Sequence, residues 1–125
     1  MPTLVAIHHI AFRTQHLTRL AEFYSSVFSL STERVQEGRS VWLLSGETRI
    51  MLEQKAPHEP DPNPGSMDLV TFRISAAERH EFEARLAARG IALEGQTAYS
   101  LYFRDPDGRR VGVSHYPDEV SPQAR

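Results

Sequence analysis

The chain has 125 residues and no cysteine. That excludes disulfides, thiolate metal sites and cysteine nucleophiles, and it accords with a cytoplasmic location. No apolar run approaches the roughly 20 residues that span a bilayer. The start, Met1-Pro2-Thr3-Leu4, lacks a basic region followed by a long apolar stretch, so neither a signal peptide nor a membrane partner is expected. A basic excess is also missing: 14 Lys and Arg stand against 16 Asp and Glu, a formal charge of −2. Nothing is left over to neutralise a phosphate backbone, so nucleic acid is not an expected partner. Proline is thin except in one place, Pro57, Pro60, Pro62 and Pro64, which rules out regular structure over residues 54–66 and predicts a stiff, extended connector.

The length fits one domain, and the pattern on either side of the connector is a repeat. Val5 to Arg13 is predicted as a strand, and Thr14 as the cap of the following helix. Leu17, Leu20, Ala21, Tyr24, Val27 and Phe28 recur at helical spacing. Strands are predicted over 30–35, 41–44 and 49–53, with Ser45-Gly46 turning between the last two. After the connector comes a strand over 68–74. Ser75 and Glu78 form a capping box, and a helix runs to Arg89 with Gly90 as its left-handed stop. Strands over 91–96, 99–104 and 109–115 follow, the last two joined by the turn Asp105-Pro106-Asp107-Gly108. Each half reads strand, helix, strand, strand, strand. Ile10, Phe12 and Arg13 answer to Val70, Phe72 and Arg73, and Ile50 and Leu52 to Val111 and Val113.

Side-chain alternation sorts these positions. One face of each half packs on its helix, and His115 is expected there. The other face carries His9, Met51 and Glu53 in the first half and Leu69, Thr71, Gly112 and Ser114 in the second. Two such sheets placed side by side would enclose a cup suited to a small-molecule ligand, lined by His9, Trp42, Met51, Thr71, Tyr102 and Arg104. His8 and His9 are expected on opposite faces of their strand, where they cannot chelate one ion together. Trp42, Met51, Tyr102 and Phe103 also suit the core. Arg104 also suits a structural ion pair, and Glu53 a solvated strand end.

His9-Ile10-Ala11-Phe12, Glu22-Phe23-Tyr24, Arg85-Leu86-Ala87-Ala88-Arg89-Gly90 and, most specifically, Tyr102-Phe103-Arg104-Asp105-Pro106-Asp107-Gly108 carry a family resemblance. Over residues 4–116 the chain resembles the vicinal oxygen chelate superfamily: glyoxalase I, bleomycin- and fosfomycin-resistance proteins and extradiol dioxygenases. The resemblance implies an α+β fold of two βαβββ modules, 4–54 and 67–116, joined by residues 55–66 and followed by a polar tail, 117–125. Their sheets would form a mixed, curled cup with the helices outside, in a homodimer. It also implies one divalent metal (Zn, Ni, Mn or Fe) as a Lewis acid, with ligand positions falling here on His9, Met51, Leu69 and Gly112. Only His9 is a ligand type. Three expectations follow. The first is a small-molecule-binding protein with a degenerate metal site. The second is a metal-dependent lyase or dioxygenase with a site rearranged around His9 and Glu53, or with Asp68 in place of Leu69. The third is a metal-free enzyme in which His9 or Glu53 moves a proton.

Overall fold

The computed structural model describes residues 2–120. It has eight strands and two α-helices among them: β1 (His9–Thr14), α1 (Leu17–Val27), β2 (Ser31–Gln36), β3 (Ser40–Ser45), β4 (Thr48–Gln54), β5 (Val70–Arg73), α2 (Arg79–Ala88), β6 (Gly95–Gln96), β7 (Ser100–Arg104) and β8 (Arg110–Ser114). The chain divides into two compact units, Met1–Asp61 and Pro62–Arg125. Each holds one four-stranded mixed sheet and one helix. The strand orders are β1-β4-β3-β2 and β5-β8-β7-β6, with β1 parallel to β4 and β5 parallel to β8. This is the α+β fold of two βαβββ modules.

In the first unit the register sets Ile10 beside Ile50 and Phe12 beside Leu52. All four point at α1, whose Leu20, Phe23, Tyr24 and Val27 are buried. The Phe12 and Tyr24 rings meet at 5.6 Å. In the second unit Val70 pairs with Val111 and Phe72 with Val113, and Phe82 of α2 meets Phe103 at 6.1 Å. The sequence repeat is therefore a repeat of cross-strand pairs. His115 is 2% exposed and lies against α2: its Nε2 accepts from Arg79 Nη1 at 3.1 Å, so its Nδ1–H donates to the Asp118 carbonyl at 2.6 Å.

Several boundaries differ from expectation, each for a local reason. β1 begins at His9, not Val5, because its partner β4 begins at Thr48, just past the Gly46 turn (φ 60°). Residues 4–7 have no strand to pair with. Thr14 is not the helix cap. It pairs with Gln54 inside the sheet, its Oγ1 accepts the His16 amide at 2.9 Å, and His16 is the N-cap. The capping box at Ser75 and Glu78 is present, opening on one 3-10 turn, Ala76–Glu78. The Ser75 amide holds the Glu78 carboxylate below the usual range. β6 is only Gly95–Gln96 because Ile91 is used to end α2: with Gly90 at φ 70°, the Ile91 amide donates to the Leu86 carbonyl at 2.9 Å.

The connector is not extended throughout. Lys55 is buried, and its ammonium donates to the Glu59 carbonyl at 2.7 Å and lies 3.3 Å from Asp61. The Glu59 carboxylate accepts from the Ala56 amide and the Arg13 guanidinium. Residues 55–61 thus fold back onto the first unit under charge pairing, which proline spacing does not reveal. Of the expected polar tail, 121–125 lie outside the described residues.

The Phe103 side chain is fully buried, whereas Val5 is 92% exposed. Phe103→Ala is expected to lower unfolding free energy by about 3–5 kcal/mol, and Val5→Ser to change it by less than about 0.5 kcal/mol, measured by denaturant titration.

Candidate functional site

The face of each sheet turned away from its helix is built in matching rows. In the first unit, β1, β4 and β3 bring together His9, Arg49 and Leu44, then Ala11, Met51 and Trp42, then Arg13 and Glu53. In the second, the row equivalent to Ala11, Met51 and Trp42 is Thr71, Gly112 and Tyr102. The repeat therefore places an aromatic ring at the same point of both sheets.

Ion pairs bound the first face at its two ends. Arg49 Nε and Nη2 reach the two Glu33 oxygens at 2.8 and 3.2 Å. That bond holds the Glu33 carboxyl below its ordinary range and raises the Arg49 guanidinium. At the other end Arg13 pairs with Glu53 and reaches both oxygens of Glu59, at 2.6 and 2.7 Å. The Arg13 bond, helped by the Ala56 amide, brings the Glu59 carboxyl down to about 2. Between these pairs lie Ala11, Met51 and half-buried Trp42. The His9 ring tilts against Trp42 with centroids 5.1 Å apart.

The register corrects the pairing of His9 with Glu53. His9 stands opposite Arg49 and Glu53 opposite Arg13, four residues further along, or about 13 Å. Glu53 is half-buried and committed to Arg13 at the end of the row. The structure therefore does not assemble a metal site or an acid–base pair from the two.

The second face is also filled. The Arg110 guanidinium covers the Tyr102 ring at 4.5 Å. Arg104 has its ion-pair role: it binds Glu94 and donates to the carbonyls of Ser66 and Gly108. The Glu94 carboxyl is lowered and the Arg104 guanidinium raised by that pair. Phe103 is core, while Thr71 is exposed on the open face.

The four positions that the resemblance assigns to metal ligands do not form a donor set. Met51 lies in the apolar row. Leu69 lies one residue before β5, and the register that keeps Val70 on Val111 leaves Asp68 outside the strand, so the one-residue slip does not occur. At Gly112 a Cβ would stand 2.2 Å from the Leu101 carbonyl oxygen and 3.1 Å from Tyr102 Cδ1. No side chain of any kind fits there without moving β7. Among the described residues, no three His, Asp or Glu side chains come within reach of one ion.

Sequence reasoning missed one contact entirely. His8 precedes β1, so strand alternation does not govern it, and its Nδ1 lies 2.9 Å from His9 Nδ1. The Gly46 turn was the available signal, because it limits how far β1 can pair. His16, His58 and His80 are exposed, as expected for the first and last. A cavity of about 470 Å³ lies elsewhere in the first unit, between the start of α1 and the β2–β3 turn, lined by residues including Gln15, Leu17, Val35, Val41 and Gln54. None of the expected site residues lines it.

Comparison with known proteins gives a consistent picture. The sequence profile of the Glyoxalase/Bleomycin resistance protein/Dioxygenase superfamily matches residues 6–113. Virulence protein STM3117 of Salmonella typhimurium is 25% identical over 122 residues, covering 88% of this chain and 83% of that protein. A lactoylglutathione lyase from Agrobacterium tumefaciens superposes with a TM-score of 0.68 at 27% identity, covering 89% of this chain and 93% of that one. The fosfomycin resistance protein FosX of Listeria monocytogenes, in an E126Q form complexed with Mn(II) and 1S,2S-dihydroxypropylphosphonic acid, superposes with a TM-score of 0.76 at 16% identity, covering 98% and 96%. At that identity the last likeness concerns fold alone.

Glu59 gives a testable titration. Its folded pKa, about 2, lies below the ordinary carboxylate value. Its contribution to stability is therefore present above that ordinary value and is lost as pH falls toward the folded pKa. Carbon-13 NMR of the Glu59 carboxyl should show a midpoint near 2 that rises in Arg13→Ala. An unchanged midpoint in that variant would remove Arg13 as the cause.

Proposed function

We propose that this chain, which belongs to the Glyoxalase/Bleomycin resistance protein/Dioxygenase superfamily, is a small-molecule-binding protein that takes a planar, largely apolar organic ligand on the Trp42 face without the four-ligand metal centre. The observation that carries this reading is the row Ala11, Met51 and Trp42, bounded by guanidinium–carboxylate pairs that already satisfy one another. A free anion would have to compete with Glu33 for Arg49, or with Glu53 and Glu59 for Arg13. A flat apolar ligand covers Trp42 and Met51 and leaves both pairs intact. Removing that surface from water contributes roughly 25 cal/mol per Å². The His9 ring beside Trp42 supplies a nitrogen that orients a ligand hydroxyl or carbonyl, a hydrogen bond contributing about 1 kcal/mol.

The donor set at positions 9, 51, 69 and 112, one His with Met, Leu and Gly, does not suit a divalent ion. The 27% identity to a lactoylglutathione lyase favours a second reading, a lyase acting on a small carbonyl compound, in which His9 moves a proton. Homodimer formation is part of the proposal. It is supported by β1 and β5 lying at the edges of their sheets and by exposed Leu4, Val5 and Ile7 ahead of β1. A light-scattering mass of one chain would remove it. Among the described residues no helix is long and apolar enough to cross a membrane. The cytoplasmic location rests on the absence of cysteine.

Trp42 is the single tryptophan of the chain, so its fluorescence reports this face directly. With a chelator present, 2-naphthol as probe should quench it saturably at one equivalent and raise Tm. Trp42→Ala should abolish the thermal shift, and His9→Ala should weaken binding by about 5–10-fold. Naphthol stabilisation that survives Trp42→Ala would place the ligand elsewhere. Turnover of a methylglyoxal–thiol adduct with kcat above background would favour the lyase; none is expected.

A further inference from the structure

The cavity of about 470 Å³ in the first unit has a counterpart in the second, and there a side chain fills it. The repeat gives the correspondence position by position. α1 begins at Leu17 and α2 at Arg79. Three residues on, Leu20 and Phe82 are both buried. The Gln54 amide donates to the Arg39 carbonyl as the His115 amide donates to the Tyr99 carbonyl, each at 2.8 Å. Val35 pairs with Val41 as Gln96 pairs with Leu101. Leu17 therefore answers to Arg79, Gln54 to His115, Val35 to Gln96 and Gln36 to Thr97.

In the second unit the Arg79 guanidinium occupies this place and is 4% exposed. Its Nη1 donates to His115 Nε2 at 3.1 Å, and its Nη2 to Gln96 Oε1 at 3.2 Å and to the Thr97 carbonyl at 2.9 Å. Its Nε donates to Glu83 at 3.3 Å. A planar fork of N–H donors thus fits between the start of a helix and the ends of the neighbouring strands. In the first unit Leu17 brings no donor, and with Val35 and Val41 it gives the cavity an apolar wall. The acceptors are kept. Gln54 stands where His115 does, and its Nε2 donates to the Lys55 carbonyl at 3.4 Å, which leaves Oε1 to accept. The Gln36 carbonyl, answering to that of Thr97, takes the Arg39 amide at 2.8 Å and has a second lone pair. Glu37 also lines the cavity and supplies a carboxylate in place of Glu83.

We propose that the first-unit cavity binds a compound with an amidinium or guanidinium head on an apolar body, held as the second unit holds Arg79. The head donates to Gln54 Oε1, the Gln36 carbonyl and Glu37, and the body covers Leu17, Val35 and Val41. His16 and Arg19 line the cavity too, so the site selects forked donors and not positive charge alone. The start of α2 accommodates a buried guanidinium on the same terms, because acceptors surround it. Val41 pairs with Leu52 on the helix-facing side of the sheet. The site shares no residue with the Trp42 face and stands independently of the apolar ligand reading.

The probe is benzamidine, titrated into the full chain and followed by the Gln36 and Gln54 side-chain amide resonances in proton–nitrogen NMR. Both should move saturably, with the midpoint below about 1 mM. Benzylamine has one ring and one positive charge but no fork, and should bind about fivefold more weakly, the loss of one hydrogen bond. Gln54→Leu should weaken benzamidine by about the same factor. In Leu17→Arg the chain supplies its own guanidinium, so benzamidine binding should vanish while Tm holds or rises. His9→Ala should change nothing. Benzylamine binding as tightly as benzamidine would overturn the proposal, as would failure to saturate by about 5 mM; neither outcome needs a variant. Undiminished binding in Gln54→Leu, or in a folded Leu17→Arg chain, would overturn it as well.

Discussion

The parallel pairing of β1 with β4, and its copy in β5 with β8, is the constraint on which the rest of the structure depends. Because side chains alternate along a strand, one register decides every facing at once. Ile10 on Ile50 and Phe12 on Leu52 commit one face to α1, and Val70 on Val111 and Phe72 on Val113 commit its counterpart to α2. The opposite face then has no freedom in what it presents: His9, Ala11 and Arg13 against Arg49, Met51 and Glu53. A slip of β1 by one residue would turn His9, Ala11 and Arg13 toward α1 and Ile10 and Phe12 onto the open face, at a cost no surface contact offsets.

Charge does the complementary work. Arg13, Arg49 and Arg104 each sit in a guanidinium–carboxylate pair on an open face, and Arg110 also lies over Tyr102. Exposed pairs of this kind add little stability individually. Their larger effect is on what the faces can bind. The Arg13, Glu53 and Glu59 cluster fixes the start of the connector to the first sheet, and with the Arg49–Glu33 pair it leaves the middle of that sheet apolar. The chemistry on offer at the first face is thus an aromatic platform with one imidazole beside it, and two histidine nitrogens at its edge.

The repeat was legible because it is written in the core. Helical spacing over 17–28, the capping box at Ser75, the left-handed Gly90 and the Asp105–Gly108 turn each depend on a few neighbouring residues, and all appear in the structure. The facing of Ile50 and Leu52 and of Val111 and Val113 followed from alternation, and so did the placing of His115 toward α2. The ends of the elements were less legible. Val5 and Ile7 have strand-like side chains, but a strand reaches only as far as its partner, so β1 begins four residues later, at His9. β6 is shorter than the pattern of residues 91–96 suggests, because nothing in residues 91–94 announces that the Ile91 amide closes the helix.

The sequence by itself determined the fold class, the two modules, the helix-facing core and the apolar or absent side chains at positions 51, 69 and 112, since each is a matter of residue identity at a local period. Only the tertiary structure decided which polar groups meet. Arg13 with Glu53 and Glu59, Arg49 with Glu33, the separation of His9 from Glu53, the missing space at Gly112 and the contact of His8 with His9 all depend on register between strands distant in sequence, or on where a strand ends. Such contacts carry no periodic signature, because one long side chain and one cross-strand neighbour are enough to make them.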